Sequence, residues 1–259
     1  MEYTKEGRKI GDRSQFLGFP IDLLTLSQAA ELIASDAHPG SKTVITANAA
    51  TLSMASHDEN LKAALRSASL VVADGMSVVW GARLRGIPVP DRVAGIDLMT
   101  ALLRRPENKR LSIYLLGATL EIVTKLKEDI ASQYPGIRVV GFRDGYFKLT
   151  EQDSVIADIA ATHPQVLFIG MPSPFKEAWA ESNRDRLGAG WIIGVGGSFD
   201  VLAGVIRRAP KIVQRAGLEW AWRLAMEPRR LWRRYLHYNT QFLQLLLMDA
   251  LQSTVRRLR

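Results

Sequence analysis

The sequence predicts an α/β fold, Rossmann-like, with a mostly parallel sheet flanked by helices. Three observations carry that expectation. Short apolar runs rich in β-branched residues alternate with segments of helical period. The runs are apolar throughout rather than at every second residue, as in strands covered on both faces. Their spacing leaves room for a crossover helix between successive strands.

Residues 43–46 (TVIT) read as the first strand and 49–66 as one helix. Residues 70–73 (LVVA) are the second strand, followed by a helix over 76–84. The third strand spans 112–116, and the helix after it, 120–133, places Ile122, Val123, Leu126 and Ile130 on one face. Residues 139–142 are followed by a helix over 150–162, with Thr150 in the N-cap role and Asp153 in the first turn. Strands at 166–169 and 191–195 complete the set. Between 86 and 95, GIPVPDRVAG holds two prolines and two glycines and reads as a loop able to move over a site.

The chain has 259 residues, 47% hydrophobic and 23% charged, which suits a globular protein with a sizeable core. Cysteine is absent, which excludes disulfides and thiolate metal sites. Residues 1–15 lack the apolar centre of a secretory signal, and no run reaches the ~18 apolar residues that span a bilayer. A soluble or peripheral protein of the cytoplasm is expected. The net charge of +8 is concentrated at one end, with twelve basic residues against three acids from Gly204 onward. We therefore divide the chain into an α/β catalytic domain, 1–203, and a basic, aromatic appendage, 204–259. Such asymmetry points to a polyanion, either membrane phospholipid or nucleic acid. Leu231, Tyr235, Tyr238, Phe242 and Leu245 share one side of a helix, beside Arg229, Arg230, Arg233 and Arg234. That stripe can meet a membrane, or pack on the core or a sister subunit.

Ligands of open α/β sheets lie beyond the carboxyl ends of the strands. There the sequence puts Thr46, Asn48, Asp74, Gly75, Gly117, Asp144, Gly145, Gly170, Gly194, Gly196 and Gly197. Glycines let a ligand approach the backbone, and helix N-termini favour phosphate. Asp74 and Asp144 would share that edge. Each also has a plainer reading: Asp-Gly is a common turn, and Thr46 or Asn48 can cap a helix. GVGG at 194–197 departs from the dinucleotide fingerprint, with Asp200 near the third glycine's place, and no Walker A sequence is present. His38, His57, His163 and His237 are scattered, and no D-x-D pair occurs, so neither metal nor cofactor is expected.

Eight motifs in order extend over almost the whole chain: TANA (46–49), ADGM (73–76), RVAGIDL (92–98), YLLG (114–117), GMPSPFKE (170–177), GVGGSFD (194–200), RAP (208–210) and the closing LEWAWRL…EPRRLWRRY (218–235). Together they resemble the WecG/TagA/CpsF bacterial glycosyltransferases (glycosyltransferase family 26). The resemblance implies inverting, metal-independent transfer of an N-acetylmannosamine-type sugar from a UDP-sugar to a polyprenyl-diphosphate-linked sugar at the inner face of the cell membrane. By the same resemblance, Asp74 is the general base, and Thr46, Asn48 and Arg92 line the pocket. Gly117, Gly170, Glu177, Gly196, Gly197, Asp200 and Arg208, with Arg229 and Arg230, complete the expected substrate-binding set. The appendage is expected to close over the site and touch the membrane, and homo-oligomers are known in the family. Lys176 stands where a substrate-contacting glutamine is usual, which opens the donor to a diphosphate or carboxylate contact. UDP-glucose or another UDP-hexose is the alternative donor, in exopolysaccharide assembly. From a different class, a nucleotide-binding module gripping nucleic acid would explain the charge but not the acid-bearing strand ends, so nucleic acid is not an expected partner.

Overall fold

The computed structural model describes residues 12–36, 40–105 and 110–257, without the side chains of Arg230 and of 252–257. His38, Arg259 and residues 1–11 lie outside the described residues, as do the side chains of Arg256 and Arg257.

A hairpin of β1 (Arg13–Phe16) and β2 (Phe19–Asp22) precedes helix α1 (Leu26–Ser35). Six parallel strands follow: β3 (Lys42–Ala47), β4 (Leu70–Ala73), β5 (Ser112–Gly117), β6 (Arg138–Arg143), β7 (Val166–Gly170) and β8 (Trp191–Gly194). Their order is β4-β3-β8-β7-β5-β6, so the Rossmann-like expectation holds. Neighbouring residues of one strand feed opposite cores. Val44 and Val72 join the core that holds Leu98, Met99 and Phe168, while Ile45 and Val71 join the one that holds Phe16, Leu61 and Phe242. Burial on both faces explains the uninterrupted apolar runs.

The helix expected over 49–66 is two: α2 (Ala49–Ala55) and α3 (Glu59–Ser67). Asp58 divides them, its carboxylate accepting from the N–H groups of Asn60 and Leu61 as an N-cap. α4 (Met76–Leu84) lies as expected, but the proline-rich loop after it is pinned rather than free. Arg83 donates to the carbonyls of Val89 and Pro90, and the Val93 N–H reaches the Ala73 carbonyl at 2.7 Å. That bond aligns the loop with the end of β4 and starts α5 (Gly95–Arg104), a helix the loop signals concealed. α6 (Leu120–Gln133) matches its period. α7 (Gln152–Thr162) begins after a 3-10 turn, Leu149–Glu151, so Thr150 is not its cap; Asp153 does lie in the first turn. α8 (Phe175–Ser182) and α9 (Ser198–Leu202) follow β7 and β8.

The remaining helices, α10 (Lys211–Arg215), α11 (Glu219–Met226) and α12 (Pro228–Arg257), fold back on the sheet domain. Phe242 is buried edge-to-face on Phe16, and Leu246 lies over Gly81. Ser53 Oγ donates to the Tyr238 carbonyl, and Arg85 pairs with Asp249 at 2.6 Å. Two members of the stripe read from the sequence, Leu231 and Phe242, are therefore buried in packing, and Tyr238 joins them against the core. A second row, Leu236, Leu243, Leu247 and Leu251, faces outward. Among the described residues no helix is long and apolar enough to cross a membrane.

Candidate active site

The ends of β3 and β4 build one corner. Asp74 N–H donates to the Ala47 carbonyl at 2.8 Å, extending the ladder by one residue beyond β4. Gly75 then takes φ +119, a conformation that disfavours a side chain, and turns the chain into α4. Next to it, Asn48 caps α2, accepting from Thr51 N–H at 3.0 Å, and Thr46 Oγ donates to the Gly194 carbonyl at 3.0 Å. The capping reading of Asn48 is thus real, and Thr46 ties the end of β3 to that of β8.

Asp74 keeps part of its surface open, yet its carboxyl is enclosed deeply enough for desolvation to dominate. Burial pushes its pKa up to about 6, and the Glu219 carboxylate acts the same way. Arg92, Arg223 and a hydrogen bond from the Gly95 N–H oppose the rise. Arg92 itself is disfavoured by burial, but Glu219, Asp74 and Asp97 together outweigh that and hold the guanidinium charged. Its Nη1 lies 2.6 Å from Glu219 and its Nη2 3.0 Å from Asp97. Arg208 meets the same two acids, at 2.6 Å to Asp97 and 3.6 Å from its Nε to Glu219. Its Nε is buried with no hydrogen-bond acceptor.

The helices after Gly204 supply much of this. Gly217, at φ +71, lets the chain come against α4: a Cβ there would sit 2.7 Å from Trp80 and 2.8 Å from Met76. That close approach delivers Glu219 and Arg223 of α11 to Asp74. At the end of β8, Gly196 has φ +53 and open space beside it. A Cβ on Gly197 would lie 3.8 Å from both Arg223 and the Asp200 carboxylate. Asp74, Thr46, Asn48, Arg92, Gly196, Gly197, Asp200 and Arg208 thus lie around one corner, at the ends of β3, β4 and β8 and on the segments packed against them.

Other expected residues are placed differently. Gly117 and Gly170 serve packing: a Cβ on Gly117 would strike the Gly170 backbone at 2.5 Å, and one on Gly170 the Phe199 ring at 2.6 Å. Asp144 follows β6, at the far side of the sheet from β4, and accepts from Tyr146 N–H at 2.9 Å. It is a turn residue, and it shares no pocket with Asp74. Lys176 and Glu177 are buried, and the Lys176 amine is held by Glu177 and Ser173. The cation expected for substrate is therefore neutralised within the fold, although Glu177 Oε2 has no hydrogen-bond partner. The alkyl chain of Lys176 lies against Gly194. Arg229 is exposed on α12, and the Arg230 side chain is outside the described residues. A shallow cleft of about 460 Å³ separates α12 from the end of β7, lined by Met54, Ser173, Pro174, Arg233, Arg234 and their neighbours.

Asp97, Glu219 and Arg223 were not singled out from the sequence. All three fall inside motifs named above, RVAGIDL and LEWAWRL, which is the one signal that pointed to them. Among the described residues no group of three or more His, Cys, Asp or Glu is placed to hold a metal ion.

Comparison with known proteins agrees with this architecture. Residues 14–256 match the model of the Glycosyl transferase WecG/TagA/CpsF family. An N-acetylglucosaminyldiphosphoundecaprenol N-acetyl-beta-D-mannosaminyltransferase of Bacillus spizizenii (strain ATCC 23059 / NRRL B-14472 / W23) is 35% identical over 193 residues, 74% of each chain. A protein of the same name from Bacillus subtilis (strain 168) is 34% identical over 172 residues, 66% of each chain. With the parallel sheet and a match over nearly its full length, the chain belongs to the WecG/TagA/CpsF family and is a glycosyltransferase.

Proposed function

We propose that this enzyme moves an N-acetylmannosamine-type sugar from a UDP-sugar to a polyprenyl-diphosphate-linked sugar, with inversion and without a metal ion. The observation that carries the reading is the setting of Asp74, a carboxylate in a largely dry corner with a pKa of about 6, faced by two arginines. Near neutral pH it is ionised but close enough to its pKa to accept a proton efficiently. Asp74 takes the proton of the acceptor hydroxyl. The freed oxygen attacks the anomeric carbon, and the bond from that carbon to the diphosphate oxygen breaks on the opposite face. Charge then grows on the leaving UDP, where Arg92, Arg208 and Arg223 stabilise it together with the backbone N–H groups at 196–197. Thr46 and Asn48 position the sugar. The names of the two Bacillus relatives support the sugar and the acceptor, since both describe an N-acetylmannosaminyl group and a diphosphoundecaprenol-linked N-acetylglucosamine.

On this reading residues 1–203 form the catalytic domain, and the chain from Gly204 is an appendage that completes the site and rests on the cytoplasmic face of the membrane. Its exposed Leu236, Leu243, Leu247 and Leu251 support the contact, beside the exposed arginines Arg229, Arg233 and Arg234. Each such arginine near an anionic surface contributes about 1 kcal/mol. The cleft with Arg233 and Arg234 suits the acceptor's diphosphate. The test is transfer from a panel of UDP-sugars to a short-chain lipid-linked acceptor, in EDTA. The expected result is UDP release and a β-linked product with UDP-N-acetylmannosamine; preference for UDP-glucose, or activity restored only by Mg²⁺ or Mn²⁺, would refute the donor or the metal-free step.

A further inference from the structure

Glu219 occupies a peculiar place. It opens α11, yet its carboxylate lies among the arginines that flank Asp74, 2.6 Å from Arg92 Nη1 and 3.6 Å from Arg208 Nε. Asp97 takes the other sides of the same two cations, at 3.0 Å and 2.6 Å. The four side chains close a ring of alternating charge, and Asp97 alone would hold both arginines to the core. The ring is little exposed, with Arg92 at 13% and Glu219 at 18% of side-chain surface, so water screens it weakly. Seen from Asp74, the facing groups are Arg92 from the loop before α5, the Gly95 N–H of α5, and Glu219 and Arg223 of α11. Asp97 pairs with Arg92 and Arg208, and Arg208 reaches Glu219. Glu219 is the anion among those facing groups, and it strengthens the retention of a proton on Asp74.

We propose that Glu219 is a positioning residue for the transfer: it fixes the Arg92 guanidinium beside Asp74 and supplies the negative neighbour against which Asp74 works as a base. The proposal rests on the transferase reading above. It makes α11 more than a cover, because that helix brings a charged neighbour of each sign, Glu219 and Arg223, to the base.

Two variants and two readouts test it. Glu219→Gln removes the charge while keeping an acceptor for Arg92. It should lower kcat about tenfold without raising KM for the UDP-sugar, since Arg92 loses a competing anion. The acid limb of the kcat/KM profile should move down by roughly half a pH unit, as Asp74 ionises more easily. Glu219→Asp keeps the charge, so its limb should stay at the wild-type position while kcat falls between the other two. Titration of the Asp74 carboxyl by carbon-13 NMR reads the same shift without turnover. A Glu219→Gln profile and titration superimposable on wild type would overturn the proposal. So would equal losses in kcat and melting temperature with the limb unmoved, the mark of a merely structural residue. Should Glu219→Gln not fold, full wild-type kcat in Glu219→Asp would overturn it. A wild-type protein with no transferase activity sinks the transferase reading instead, and the NMR titration still decides whether Glu219 acts on Asp74.

Discussion

Two Asp-Gly pairs follow apolar strands of this sheet, and they end differently. Asp74-Gly75 leaves β4 at one side, and Asp144-Gly145 leaves β6 at the other. Asp144 satisfies its carboxylate locally on Tyr146 N–H. Asp74 instead faces groups from elsewhere in the chain: Arg92, the Gly95 N–H, Glu219 and Arg223. The dipeptide is the same in both cases, although Gly75 takes a positive φ after a buried strand and Gly145 does not after a half-exposed one. What differs is what packs above it, and at β4 that is α11, admitted by the missing side chain of Gly217. A site of this kind is made by the element that closes over it as much as by the edge that carries it.

The comparison breaks first at the two acids. Asp74→Asn should cut turnover about 10³-fold, the usual worth of a general base, while calorimetry still detects UDP-sugar binding. Asp144→Asn should leave turnover within about twofold of wild type, since an asparagine side-chain oxygen makes the same turn. Comparable losses in both would erase the distinction drawn here.

Next comes the docking of α11. Gly217→Val places a branched side chain 2.7 Å from Trp80 at positive φ. It should reduce kcat/KM by about 10- to 100-fold through misplaced Glu219 and Arg223. The rest of the fold does not depend on that contact, so the main thermal transition should move little. Loss of the whole fold in Gly217→Val would show that α11 is structural.

Asp74 also makes the stability of the fold depend on pH. Asp74 has a folded-state pKa of about 6, raised from 3.8, so folding favours its protonated form. Any stabilisation from that is complete below about pH 4 and lost as pH rises through about 6. Above that pH the ionised group costs on the order of 2–3 kcal/mol, and Asp74→Asn should be more stable than wild type by up to that amount. The gain should vanish at about pH 4, in denaturant melts at both pH values.

Smallest are the glycines. Gly170→Ala meets Phe199 at 2.6 Å and should lose about 1–3 kcal/mol of stability. Gly196→Ala, in open space but at φ +53, should lose about 1 kcal/mol and also weaken UDP binding. If Gly170→Ala weakened binding with no loss of stability, its glycine would belong to the ligand after all.

Much of this was legible beforehand, for physical reasons. Strands buried on both faces announce themselves by unbroken apolar runs, so β3, β4, β5, β7 and β8 fall within a residue or so of where the sequence puts them, and the half-exposed edge strand β6 is found by its apolar run VVGF. The hairpin carries no unbroken apolar run to mark it: RSQF is largely polar, and FPID holds Pro20 and ends on Asp22. The break at Asp58 was written as an N-cap inside a continuous apolar period, and the period masked it. Locally Asp74-Gly75 is indistinguishable from a turn, because its distinguishing partners are nearly twenty residues away at Arg92 and far more distant at Glu219 and Arg223. The substrate contact expected of Lys176 differs from what the fold shows, since no local pattern reveals that Glu177, its immediate neighbour, neutralises it in a buried pair.

The central claim is that Asp74 is the base, and the pH dependence of kcat/KM between about pH 5 and 9 tests it most directly. The account gives wild type an acid limb with its midpoint near 6, and gives Asp74→Asn a low residual activity without that limb. A wild-type profile flat through that range, or the same limb surviving in Asp74→Asn, would contradict it.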